Sequence, residues 1–372
     1  MPRKIRELEA DSLLVGELPE GCQRCTKGSK MVLFVTGLCD SHCFYCPLSA
    51  EKKNHDVIFA DEMPVRNESD ILYEIDAIGA RGAGISGGDP LCKFDRTTRY
   101  IRLMREETGS DFHIHLYTAK SDISVDYLAQ LNSAGLDEIR FHPQSDDWSG
   151  IHSALELDWR VGIEVPAIPN DEETLISIAQ RAEECGVNFL NINELEASES
   201  NFSNLVGLGF RLTSLDAASI EGSESTAIEV LSWGAANLDS LTLHYCSARF
   251  KDSVQMRNRL ERRLKRTIRP FEERAEDEPL LVLGIIRAKH GSHLSSVQLQ
   301  SIWDTLIDDY EVPTDLTNLD IARDRIEIAP WILIELADEL GDELAEQADD
   351  FEIGIAYEYP SFDRLQTQFM PL

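Results

Sequence analysis

KMVLFVTGLCDSHCFYCPLS, residues 30–49, sets a short apolar run directly before a loop that packs three cysteines into eight positions. Met31 to Val35 reads as a buried strand, because an unbroken apolar run of this length, stopped by Thr36-Gly37, suits a strand covered on both faces. Cys39, Cys43 and Cys46 follow in a C-x3-C-x2-C pattern. A closed tetrahedral metal site needs four ligands. The loop is therefore either part of a zinc site with a distant fourth ligand or a site with one position left open.

Outward from that loop the chain alternates short apolar strands with helical patterns. Strands are expected at 82–86, 112–118, 137–142, 161–168, 187–193 and 239–245. Helices are expected at 68–79, 95–108, 123–134, 149–158 and 171–185, the third and fifth ending at Gly135 and Gly186. Repeated β-α units predict parallel strands joined by right-handed crossovers. The strands also share a polar face: His113, His115 and Tyr117; Glu138, Arg140 and His142; Glu164; Asn191 and Asn193. Central strands of a doubly wound sheet are apolar on both faces, so one polar face in strand after strand predicts the lumen of a barrel around a polar ligand. Satisfied buried ion pairs such as Arg140–Glu164 are the other reading of that face. The fold class is α/β, a partial (β/α)6 TIM-like barrel with the cysteine loop at the C-terminal ends of the strands, where barrel sites lie. Residues 1–29 form an N-terminal extension, 30–248 the barrel, 249–270 a basic linker helix, and 271–372 a small C-terminal α/β domain. That domain is expected to hold strands at 280–286 and 351–358 and helices at 295–309 and 329–345.

The formal net charge is −32, with 67 acidic against 35 basic residues, and the acids are spread along the whole chain. A carboxylate coat with few lysines suits solubility in concentrated salt, where surface repulsion is screened within a few ångströms. The expected source is a halophile, and resistance to unfolding should rise with KCl; a flat titration would remove this reading. The acidity disfavours duplex nucleic acid as a partner for most of the surface. Residues 249–269 stand apart, with nine basic and two acidic residues. Their arginines either contact RNA phosphates or neutralise the acidic body. No apolar run is long enough to span a membrane, and the charged N-terminal stretch lacks a signal-peptide core. The expected location is cytoplasmic.

Tyr45 precedes the last cysteine of the loop, and Ser86-Gly87-Gly88-Asp89-Pro90 ends the second strand. Together with "HIHLYT", "LDEIRFHP" and "FLNINELE", these segments resemble the radical S-adenosylmethionine (radical SAM) superfamily over about residues 20 to 270. The resemblance is nearest to archaeal members related to pyruvate formate-lyase activating enzyme. Those activating enzymes carry Ser-Gly-Gly-Glu-Pro where this chain has the shorter Asp89. The resemblance implies an enzyme in which Cys39, Cys43 and Cys46 hold a 4Fe–4S cluster. The cluster's open iron chelates S-adenosylmethionine (SAM), and reductive cleavage gives a 5′-deoxyadenosyl radical that abstracts hydrogen from a substrate. It places Tyr45 against the adenine, Gly87 and Gly88 beside the methionine moiety, and Asp89 near its ammonium. His142, Glu164 and Asn193 are SAM-contact candidates on strand parity alone. An electron donor of ferredoxin or flavodoxin type is implied, and with the charge pattern a halophilic archaeon. The substrate stays open between a protein or peptide, an RNA and a small molecule. The alternative is an iron–sulfur or zinc protein, binding metal or carrying electrons, without SAM chemistry.

Of the five cysteines outside the loop, three suggest a second group, while Cys92 and Cys185 stand alone. Cys22 and Cys25 form a C-x2-C pair, and Cys246 shares a strand face with His244. C-x2-C with distant ligands is a metal pattern, so Cys22, Cys25, Cys246 and His244 are candidates for an auxiliary iron–sulfur cluster or zinc. Free thiols over a turn, with Cys246 in the core, are the plainer reading.

Overall fold

The computed structural model describes residues 2–347 and 351–372. The chain divides into two compact units, 1–259 and 260–372. In the first unit β1 (Ile5–Glu7), β2 (Leu13–Val15) and α1 (Glu20–Thr26) precede β3 (Lys30–Phe34), and β4 (Phe59–Ala60) and β5 (Met63–Pro64) follow it. Then come α2 (Glu68–Ala77), β6 (Gly82–Ser86), α3 (Phe94–Thr108), β7 (His113–Thr118), α4 (Val125–Ala134), β8 (Glu138–Phe141) and α5 (Ser149–Ala154). The remainder is β9 (Arg160–Ala167), α6 (Glu172–Cys185), β10 (Phe189–Glu194), α7 (Phe202–Gly207), α8 (Ser223–Asn237), β11 (Thr242–Cys246) and α9 (Ala248–Phe250). A π-helical turn (Lys251–Met256) leads into α10 (Arg257–Thr267), which runs across the division between the units.

Seven strands pair in parallel, each beside its neighbour in sequence, in the order β3-β6-β7-β8-β9-β10-β11. The outer strands do not pair with each other: β4 covers β3 and β2 covers β11, both antiparallel. Covering both edges protects a sheet that has not closed into a full barrel. The expected six β-α repeats are present, with β11 as a seventh strand. On the helix-covered face Leu33, Ile85, Leu116, Ile139, Phe141, Ile163 and Ile192 are fully buried, each contributing roughly 1.5–3 kcal/mol. An Asn67–Asp70 capping box starts α2, and α4 and α6 end at left-handed Gly135 and Gly186. The helix expected to reach residue 158 stops at Ala154.

The second unit is a sheet with strands in the order β14-β15-β13-β16-β17, and β12 on the free part of β13. These are β12 (Glu273–Arg274), β13 (Leu281–Ala288), β14 (Thr317–Asp320), β15 (Arg325–Ile328), β16 (Phe351–Glu358) and β17 (Gln366–Pro371). All pairings are antiparallel, and α11 (Ser296–Asp308) and α12 (Pro330–Gln347) pack against the sheet. The expected α/β module is thus an antiparallel sheet with helices. The sequence showed only two of its strands, because "TNLD" and "QTQFMP" are too polar to read as strands. The division also falls earlier than residue 270. Phe250 and Val254 are buried with Cys246, and Arg259 pairs with Asp61 at 2.6 Å, so the start of the basic helix belongs to the barrel. Among the described residues no helix is long and apolar enough to cross a membrane.

Candidate functional site

The cysteine loop leaves β3 through Thr36-Gly37-Leu38 and is laced to the end of β6. Gly88 and Asp89 donate backbone N–H bonds to the Thr36 and Leu38 carbonyls at 2.7 and 2.8 Å. This approach demands glycine. A Cβ on Gly87 would lie 2.5 Å from the Thr36 carbonyl oxygen, and one on Gly88 2.5 Å from that of Leu38. Gly37 is tighter still, since a Cβ there would lie 1.6 Å from the Lys52 carbonyl oxygen. Gly37→Ala should therefore displace the whole loop, and anaerobically reconstituted protein should lose at least half its iron. Unchanged iron with an unchanged melting temperature would show the loop does not depend on this packing.

Cys39, Cys43 and Cys46 are half-buried and line a cavity of about 760 Å³ together with Gly87, Gly88, Tyr45, His142, Glu164 and Asn193. Ser41 N–H points at Cys39 Sγ (3.4 Å), and Cys43 Sγ donates to Gln144 Oε1 (3.3 Å). The three thiols line the cavity from one loop, which fits a group that must also accept a second partner. Tyr45 donates its hydroxyl to His142 Nε2 (2.7 Å), while His142 Nδ1 donates to the Glu164 carbonyl (2.8 Å). Burial lowers the His142 pKa and keeps the ring neutral.

Register builds the floor of the cavity. Arg140 stands beside Tyr117 and Gly162, and Asn191 beside both Glu164 and His244. The Glu164 carboxylate accepts from Arg140 Nη1 (2.8 Å), Asn191 Nδ2 (3.0 Å) and Asn193 Nδ2 (3.0 Å). Burial would raise its pKa, but Arg140 and the two amides hold it down to about 2. The polar face thus proves to be both things the sequence allowed, a satisfied ion-pair network and a cavity wall.

Asp89 sits elsewhere than expected. It is buried, absent from the cavity wall, and accepts from Thr118 Oγ1, Ala119 N–H and Leu91 N–H at 2.9–3.1 Å. Its carboxylate ties the end of β7 to the turn after Gly88, and with those donors it is not free for an ammonium group. The shorter side chain of Asp suits this protein-internal role.

The candidate ligand Cys22 lines the cavity, as do Lys30, Lys251 and Gln255, which sequence reasoning missed. Helix α1 carries Cys22 into the lumen, where Arg140 Nη2 and Asn191 Nδ2 lie 3.5 and 3.3 Å from its Sγ. Gly21 makes this possible, because a Cβ there would lie 2.5 Å from Arg140 Nη2 and 2.8 Å from His115 Nδ1. Lys30 reaches Tyr117 Oη at 3.4 Å. Lys251 and Gln255 come from the π-helical turn, and such turns recur at functional sites. The basic segment is otherwise occupied: Arg249 pairs with Asp11, Lys251 with Glu196, Arg259 with Asp61 and Lys265 with Glu261. Arg257, Arg262, Arg263 and Arg266 also have partners. The four named pairs neutralise acidic neighbours. His55, His152, His290 and His293 are exposed.

A cysteine loop on the first strand of an open parallel barrel, facing a polar lumen, defines the class: the chain belongs to the radical SAM superfamily, enzymes of radical chemistry. Residues 33–162 match the model of that superfamily, and residues 280–372 match a domain of unknown function (DUF8061). More particularly, the chain is 34% identical over 368 residues to a Methanocaldococcus jannaschii protein named "Putative glycyl-radical enzyme activating enzyme", spanning 96% of this chain and 93% of that one. Among solved structures, SuiB of Streptococcus suis bound to S-adenosylmethionine is 13% identical with a TM-score of 0.40, over 59% of this chain and 50% of that one. Methylornithine synthase (PylB) is 13% identical with a TM-score of 0.40, over 60% of this chain and 72% of that one. The superfamily implies a 4Fe–4S cluster and SAM.

Proposed function

We propose that Cys39, Cys43 and Cys46 hold a 4Fe–4S cluster and that SAM occupies the adjoining cavity between Gly87-Gly88, Tyr45, His142 and Asn193. The observation that carries this is one loop presenting three thiols to a 760 Å³ cavity whose opposite wall is polar and already hydrogen-bonded. When bound, the reduced cluster supplies the electron that cleaves the SAM sulfonium to a 5′-deoxyadenosyl radical. The chain's own residues position and shield. Gly87 and Gly88 leave backbone close to the thiols. Tyr45 and His142, locked to each other, offer a fixed aromatic edge. The Asn193 amide is oriented by Glu164.

The test is 5′-deoxyadenosine formation on reduction with SAM. Wild-type protein should form it, and Cys39→Ser/Cys43→Ser/Cys46→Ser should not. Wild-type protein that is folded and iron-loaded yet neither binds nor cleaves SAM would favour an electron-transfer role.

The substrate is a polypeptide glycine, attacked at Cα–H, as the name of the Methanocaldococcus relative would have it. Support comes from Phe202, Val206, Leu208 and Leu215, 45–102% exposed, on the segment next to Tyr45 and Phe44. An exposed apolar surface beside a site suits a macromolecule better than a small polar substrate. Peptide deuterated at glycine should pass deuterium into 5′-deoxyadenosine. Transfer from a small-molecule pool alone would exclude this assignment.

A further inference from the structure

We propose that Cys22, Cys25, Cys246 and His244 hold a second iron–sulfur cluster within the barrel lumen, apart from the loop of Cys39, Cys43 and Cys46. The inference rests on this second group of residues and stands whether or not SAM binds. Two distant segments bring them together. Cys22 and Cys25 lie one turn apart on α1, and His244 and Cys246 lie two residues apart on β11, sharing one strand face. All four line the same cavity.

N–H donors stand close to two of the sulfurs. Cys22 Sγ has Arg140 Nη2 at 3.5 Å and Asn191 Nδ2 at 3.3 Å, and Gln255 Nε2 lies 3.5 Å from Cys246 Sγ. The same Gln255 side chain takes a hydrogen bond from Cys25 Sγ at 2.6 Å, so one amide spans the two thiols from the π-helical turn. Lys30 and Lys251 line the same cavity. N–H donors and cations around cysteine sulfur stabilise an anionic metal–thiolate centre and tune an iron–sulfur cluster.

His244 supplies the independent sign. It is 2% exposed, its Nδ1 faces Asn191 Oδ1 at 3.2 Å, and its Nε2 is buried with no hydrogen-bond partner. A ring fixed through one nitrogen to a carbonyl, with the other nitrogen's lone pair left over, is how a ligating histidine is held. Orphaned buried polar atoms are uncommon and call for a cause.

Spacing separates a cluster from a single ion. Zinc–sulfur bonds of about 2.3 Å put tetrahedral thiolates about 4 Å apart. Among the described residues the one set of three His, Cys, Asp or Glu with ligand atoms all within 4.8 Å is His113, His115 and Glu138. There Arg140 sits 2.6 Å from Glu138 and opposes a cation. No three of Cys22, Cys25, Cys246 and His244 are so close, and neither are Cys39, Cys43 and Cys46. Both groups are therefore wider than one tetrahedral ion requires.

The test uses the full chain, reconstituted anaerobically with iron and sulfide, in four variant forms beside the wild type. Cys39→Ser/Cys43→Ser/Cys46→Ser should keep about half of the wild-type iron and sulfide, with broad absorbance near 400 nm. Cys22→Ser/Cys25→Ser should keep the other half, and all five substitutions together should keep almost none. In the loop-deficient form His244→Ala should alter the electron paramagnetic resonance spectrum of the reduced cluster. If that form melts like wild type yet carries no iron, or only zinc, the second cluster is refuted. Full wild-type iron in folded Cys22→Ser/Cys25→Ser refutes it as well. Should the loop itself bind no iron, that failure appears separately, as a Cys22→Ser/Cys25→Ser chain devoid of iron beside a loop-deficient chain that still holds it.

Discussion

Arg140→Met should lower the unfolding free energy by about 3–5 kcal/mol, the cost of leaving a buried charge without its partner. Arg140 is 2% exposed and joins Glu138 (2.6 Å), Glu164 (2.8 Å) and Tyr117 (3.2 Å), with its guanidinium 5.2 Å from the Tyr117 and Phe189 ring centres. Methionine keeps much of the volume but abandons two carboxylates, one of them, Glu138, 1% exposed. Adding Glu138→Gln and Glu164→Gln should restore a large part of the loss, since neutral amides need no counter-charge. The pH dependence should change sign. In the wild type Glu164 titrates near 2, below its ordinary 4.5, so its contribution is complete above 4.5 and fades as pH falls towards 2. Without Arg140, burial dominates and raises the carboxyl, so the variant should gain relative stability as pH falls from 7 to 5. Urea unfolding at both pH values measures this. A loss below about 1 kcal/mol would mean that water already solvates the network.

The barrel was legible because its strands repeat one pattern. Gly82–Ser86 and the parallel strands up to Phe189–Glu194 lie within about two residues of their expected ends, since a polar lumen face opposite an apolar helix face marks most of them. The cysteine loop was legible from spacing. What stayed hidden depends on contacts between distant segments. Nothing in "EGCQRCT" marks α1 as a lumen helix; its place depends on Gly21 fitting against Arg140 and His115. Lys251 and Gln255 looked like part of a basic helix, and only the π-helical turn aims them at the cavity. Asp89 shows a different limit. The motif gave its position correctly, but an acid beside a glycine pair can hold either a ligand or its own backbone, and here Thr118, Ala119 and Leu91 claim it.

In the second unit, Glu358→Gln should cost about 3–5 kcal/mol by opening a closed ring of buried ion pairs. Glu358 joins Arg325 and Arg364; Arg364 joins Glu272; Glu272 joins Arg269 (2.5 Å); Arg269 joins Glu327 (2.6 Å); and Glu327 returns to Arg325 (2.7 Å). The three carboxylate side chains are at most 1% exposed. Three arginines and three glutamates balance to zero, so removing one acid leaves an uncompensated cation under the sheet, and Arg325 and Arg364 both lose a partner. Hydrogen exchange along β13 and β16, read in the full chain, should accelerate by at least a hundredfold. Acid should reproduce part of the effect. Burial would raise the Glu327 carboxyl, but Arg269 and Arg325 hold it down to about 2, below its ordinary 4.5. Its contribution, about 3 kcal/mol from a shift of that size, is complete above pH 4.5 and lost as pH falls through 2. Salt should hardly matter for a ring this buried, in contrast to the surface carboxylates, whose repulsion KCl screens. Exchange in β13 that slowed markedly with KCl, or ignored Glu358→Gln, would show that the sheet is held by its apolar core of Leu283, Ile285 and Ile355, with the ring contributing little.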